Sequence, residues 1–100
     1  MTRTHMSARA IEITIAKESE LEDVRRIART AQAQSLRFKV VVLYRPPSSR
    51  VLDRWRRITP GEFRWRIHGA TAAEALAARA REVAYGEGVR AETEILYRAS

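Results

Sequence analysis

The chain has 100 residues, 45% of them hydrophobic and 31% charged, and a formal net charge of +7 at pH 7. This is ordinary composition for one globular domain, which at such a length buries roughly 60 to 70% of the surface its unfolded form exposes. Cysteine is absent, which excludes disulfides, thiolate nucleophiles and zinc-thiolate sites, and the longest apolar run, Val40 to Tyr44, is too short to span a bilayer.

The opening residues, MTRTHMSARA, contain no apolar stretch of signal-peptide type. Residues 1–9 are read as a flexible N-terminus, and a cytoplasmic location is the default. Ile11, Ile13 and Ile15 then alternate with Glu12 and Thr14, the period of a strand buried on one side. Ser19 followed by Glu22 is a capping box, in which serine caps backbone N–H groups and the carboxylate reaches back. Leu21, Val24, Ile27, Ala28 and Ala31 follow at helical spacing, predicting a helix from about Ser19 to Ser35. A strand from Arg37 to Tyr44 comes next.

The pattern returns 52 residues later, from Ile11 to Phe63. Phe63, Trp65 and Ile67 alternate with Arg64, Arg66 and His68, predicting a third strand. Thr71 and Glu74 form a second capping box, Ala73, Leu76, Ala77, Ala80, Val83 and Ala84 form an apolar stripe, and Gly86 with Gly88 stops the helix. A last strand runs from Val89 to Arg98. The order βαβ, connection, βαβ predicts an α+β fold of ferredoxin-like type: a four-stranded sheet ordered 4-1-3-2 with two helices on one face. One domain covers residues 10–99, its halves 10–44 and 62–99 joined by a basic connection, 45–61.

In this arrangement Ile11, Ile13, Ile15, Phe63, Trp65, Ile67, Val40, Val42, Ala91, Thr93, Ile95 and Tyr97 face the helices. Glu12, Thr14, Lys39, Val41, Leu43, Arg64, Arg66, His68, Arg90, Glu92, Glu94 and Leu96 face away, with Glu12 opposite Arg64 or Arg66. The open side carries no aromatic platform for stacking bases, so any binding there is electrostatic. The strand at Val40 to Tyr44 is apolar on both sides yet stands at an edge, so Val41 and Leu43 need a cover.

Charge is concentrated in the middle third. From Arg37 to Arg66 nine basic residues stand against Asp53 and Glu62, while the remainder of the chain sums to zero. Within the connection, Pro46-Pro47 ends the strand, Ser48 or Ser49 starts a short helix, and Thr59-Pro60-Gly61 ends it. Val51, Leu52, Trp55 and Ile58 then share one arc and Arg50, Arg54 and Arg57 the opposite one. The apolar arc is expected to cover Val41 and Leu43 or to meet a second copy of the chain.

Catalytic chemistry has little to work with. His5 and His68 are the two histidines, neither with a nucleophile at useful spacing. The glycines, Gly61, Gly69, Gly86 and Gly88, form no phosphate loop, and no metal-ligand spacing exists. The expectation is a non-enzymatic binding protein without cofactor or metal. Arg45, Arg50, Arg54, Arg56, Arg57, Arg64 and Arg66 would engage a polyanion, foremost nucleic acid or a nucleoprotein, and a homodimer would form through the apolar arc. The alternative is a protein-interaction module, such as an inhibitor or accessory factor of a phage or mobile element, docking on an acidic partner protein. No membrane partner is expected, because the basic cluster has one large aromatic and no lysine tract.

Overall fold

The computed structural model describes the backbone of residues 2–44 and 62–97, and the side chains of residues 2–44 and 72–96. The order is β1 (Arg3–Met6), β2 (Ala10–Ile15), a 3-10 turn (Glu18–Glu20), α1 (Leu21–Ala33), β3 (Arg37–Tyr44), α2 (Glu62–Gly86) and β4 (Ala91–Tyr97). The fold is α+β, and its four strands stand in the order β1-β2-β3-β4. β1 pairs antiparallel with β2, while β2, β3 and β4 run parallel.

Alternation in the strands and helical spacing in α1 produce the core as expected. Ile11 lies beside Phe38 and Ala91, Ile13 beside Val40 and Thr93, and Ile15 beside Val42 and Ile95, which makes one continuous apolar face. Leu21, Val24, Ile27, Ala28 and Ala31 of α1 cover it, together with Ala73, Ala77, Ala80 and Ala84 of α2. Both helices pack on this face and on each other. The buried alanines of α2 let its backbone come close to α1 and the sheet, and burial of the larger isoleucine, valine and phenylalanine side chains stabilises by about 1.5 to 3 kcal/mol each.

The ferredoxin-like order 4-1-3-2 is not what forms. The predicted third strand at Phe63 to Ile67 lies inside α2, which runs unbroken from Glu62 to Gly86. Short runs such as Phe63-Arg-Trp-Arg-Ile67 fit both a period of two and a helical one. The stripe Ala73, Ala77, Ala80 and Ala84, extended backwards by steps of three and four, reaches Ala70, Ile67 and Phe63. A helix already nucleated extends at little cost, and interior Gly69 opposes that by only about 1 kcal/mol. Thr71 and Glu74 therefore lie mid-helix and start nothing. The fourth strand is β1, from the segment expected to be loose.

β1 turns into β2 at Ser7, whose backbone N–H donates to Ala10 O (2.8 Å) and whose Oγ accepts from Ala10 N–H (3.2 Å). Its start is tied to α1, because the Thr2 hydroxyl lies 2.9 Å from Glu20 Oε2 and 2.8 Å from Asp23 Oδ2. With β2 on one side and β4 on the other, β3 is central. The edge-strand difficulty at Val40 to Tyr44 disappears, since a strand paired on both sides can be apolar on both faces.

Helix ends follow backbone chemistry more closely than the sequence pattern suggests. The expected Ser19 to Glu22 capping box is replaced by Glu20, whose Oε1 accepts from the N–H groups of Ala16 and Lys17, both at 3.0 Å. Both helices end in the same left-handed turn. In α1 Leu36 N–H donates to Ala31 O (2.8 Å) and Ser35 N–H to Gln32 O (3.3 Å), with Ser35 at φ 55°. In α2 Val89 N–H donates to Ala84 O (3.0 Å) and Gly88 N–H to Tyr85 O (2.9 Å), with Gly88 at φ 79°. These are the paired bonds of a Schellman motif.

Candidate polyanion-binding edge

Three parallel strands end on one side of the sheet, at Ile15, Tyr44 and Tyr97. Ligand sites of open sheets with parallel strands gather at this carboxyl edge, where connecting segments and helix starts converge. Tyr44, the end of the central strand, lies at this edge, and α2 begins at Glu62. β1 runs the other way, so its first residue Arg3, paired with Thr14, stands at the same edge. Exposed Lys17 follows β2 there.

Arg45, Arg50, Arg54, Arg56 and Arg57 lie outside the described residues, as do Val51, Leu52, Trp55 and Ile58. Arg64 and Arg66 belong to the first turns of α2 and not to the open face of a strand. His68 is likewise helical. Val41 and Leu43 take their expected place on the open face, in the rows Thr14, Val41, Glu94 and Leu43, Leu96. Val41 is only 6% exposed although it stands apart from the core under the helices, and Leu43 is half-buried.

The open face is organised by charge. Lys39, at its centre, lies 2.5 Å from Glu94 Oε2 and 3.8 Å from Glu12 Oε1. The hydrogen bond to Glu94 holds its ammonium above the usual lysine range. Glu12 thus pairs with Lys39, since Arg64 and Arg66 are in α2. Arg37 lies 3.0 Å from Glu92. Sequence reading missed this β3 to β4 pairing because it placed these strands apart; alternation of Lys39 with Glu92 and Glu94 was the available signal.

Other charges are paired as well. Arg25 meets Glu22 at 2.9 Å, Arg26 meets Asp23 at 3.5 Å, Arg29 meets Glu87 at 3.0 Å, and Arg79 pairs with Glu18. Burial alone would raise the pKa of Glu20, but the N–H groups of Ala16 and Lys17 and the Thr2 hydroxyl outweigh it and hold the carboxyl below its usual range. Acids near the carboxyl edge are therefore largely engaged by neighbours. The side chains described hold eleven basic and ten acidic residues, whereas residues 45–66 hold seven arginines against Asp53 and Glu62.

Among the described residues no group of three or more histidine, aspartate or glutamate side chains is placed to hold a metal, and no helix is long and apolar enough to cross a membrane. Comparison with known protein families, with curated proteins and with solved structures finds no match for this chain.

Proposed function

We propose that the chain is a small non-enzymatic protein that binds a polyanion, foremost nucleic acid, through Arg45, Arg50, Arg54, Arg56, Arg57, Arg64 and Arg66. One observation carries this reading. The described side chains are close to charge-neutral and most of their acids are ion-paired, while the surplus positive charge belongs to residues 45–66, which follow the central strand where it ends at the carboxyl edge of the sheet. Arginine suits the role because its planar fork makes two parallel hydrogen bonds to a phosphate. Phosphate contacts of this kind give affinity without reading sequence, so discrimination between base sequences is expected to be small.

Fluorescence anisotropy with labelled duplex DNA and single-stranded RNA tests the reading. Binding at low salt is expected, and joint change of Arg50, Arg54 and Arg57 to Glu should abolish it. Absence of binding to either probe at low salt, or full binding by the triple variant, would overturn it. Capture of a protein from a lysate that survives nuclease but needs the same arginines would favour an acidic protein as partner instead.

A further inference from the structure

We propose that copies of the chain join head to tail, the outer edge of β1 in one copy adding antiparallel to the outer edge of β4 in the next. Among the described residues these are the terminal strands of the sheet, each paired on one side only. Terminal strands carry unpaired backbone N–H and C=O groups, and charged side chains on such strands decide which pairings are tolerated. The two edges carry matching side chains.

Within the chain β1 sets Arg3 opposite Thr14, Thr4 opposite Ile13, His5 opposite Glu12 and Met6 opposite Ile11. Through β3, these rows continue to Glu94, Thr93, Glu92 and Ala91 respectively. A second β1 laid on β4 in the same antiparallel manner places Arg3 opposite Glu94 and His5 opposite Glu92 on the open face. On the helix face it places Thr4 opposite Thr93 and Met6 opposite Ala91. Every residue keeps the face it already has, and the row His5, Glu12, Lys39, Glu92 then meets His5 again.

The two central registers of β4 paired with itself are poor. Two copies of β4 in antiparallel register, centred on Thr93, bring Glu92 against Glu94, and centred on Glu94 they bring that residue against itself; like charges directly opposite are destabilising. On the helix face Met6 of the incoming strand stands at Ala91, beside the shallow groove lined by Arg81, Tyr85, Val89 and Arg90. Met6 is 54% and Tyr85 81% exposed in the single chain, and the joint covers both. Such a contact uses two different surfaces, so it builds open chains or rings rather than a two-fold dimer. It does not depend on the polyanion reading.

Sedimentation equilibrium of the full chain from micromolar to millimolar concentration tests it. The average mass should rise with concentration; Arg3→Glu and Glu94→Arg should each hold the protein monomeric, and the two together, which exchange the opposed charges, should restore assembly. Both positions are exposed, and circular dichroism checks that each variant folds. A synthetic peptide of residues 2–9 titrated into isotope-labelled protein should shift the amide signals of β4. A mass that stays monomeric, single variants that assemble like the parent, a double variant that does not, or peptide shifts confined to other strands would each overturn the proposal.

Discussion

Two glycines two positions apart at the end of α2 should respond to alanine with opposite signs. Gly86 is the last helical residue, and a Cβ built there meets no atom within 4 Å. Gly86→Ala therefore keeps every contact and gains helix propensity, worth about 0.5 to 1 kcal/mol. Gly88 has φ 79°, and its Cβ would meet Gln32 Cγ at 3.8 Å, an ordinary contact. Space is not the obstacle there; the left-handed backbone is, at about 1 to 2 kcal/mol for a residue with a Cβ. Reduced freedom of the unfolded chain returns about 0.4 to 1 kcal/mol, leaving a loss of about 1 kcal/mol for Gly88→Ala. The two variants should differ by about 1.5 kcal/mol, or roughly 6 to 12 °C in Tm for a domain of this size. Thermal melts of both proteins by circular dichroism measure the difference directly. Equal melting temperatures, or a stabilised Gly88→Ala, would refute the left-handed turn at the end of α2.

Ser35 holds the same left-handed position at the end of α1, so Ser35→Gly should raise Tm, with a gain of up to about 1 kcal/mol. Ala80 is fully buried, and Ala80→Leu should cost about 1 to 3 kcal/mol in urea titrations because the close-packed core has no room for added methylenes. Glu20 has a folded pKa below the ordinary carboxylate range, so its contribution to stability is present above its unfolded pKa and is lost as pH falls through the folded pKa. Glu20→Gln should consequently be less stable than the parent at pH 7, with the gap narrowing in acid; a constant gap across a pH series of denaturant titrations would contradict the role of its carboxylate.

Hydrophobic spacing specifies local structure in this chain wherever it is long and unambiguous. The buried positions of β2 and α1 and the buried stripe of α2 from Ala73 to Ala84 all follow from period alone, as does the division of β3 and β4 between inner and open faces. Pairing was not legible. Phe63 to Ile67 satisfies strand and helix spacing together, and a five-residue alternation cannot outweigh a helix already running behind it. Arg3 to Met6 shows no alternation of apolar residues; it pairs through its backbone and is held at Ser7 and Thr2, signals that become visible only with partners in place. Once those two segments exchange roles, β3 moves from the edge to the centre, and Glu12 finds Lys39 instead of Arg64 or Arg66. The candidate site was legible as a charge imbalance along the chain, while the end of the central strand at a carboxyl edge, from which residue 45 follows, depended on the parallel order of β2, β3 and β4.

The most direct test of the polyanion reading is the salt dependence of binding to one duplex DNA for the parent and for the joint variant Arg50→Ala, Arg54→Ala and Arg57→Ala. Each neutralised phosphate contributes about 0.9 to the slope of log K against log salt. Loss of three contacts should flatten the slope by about 3 and weaken binding evenly across sequences. A slope that is the same in both proteins would contradict the account.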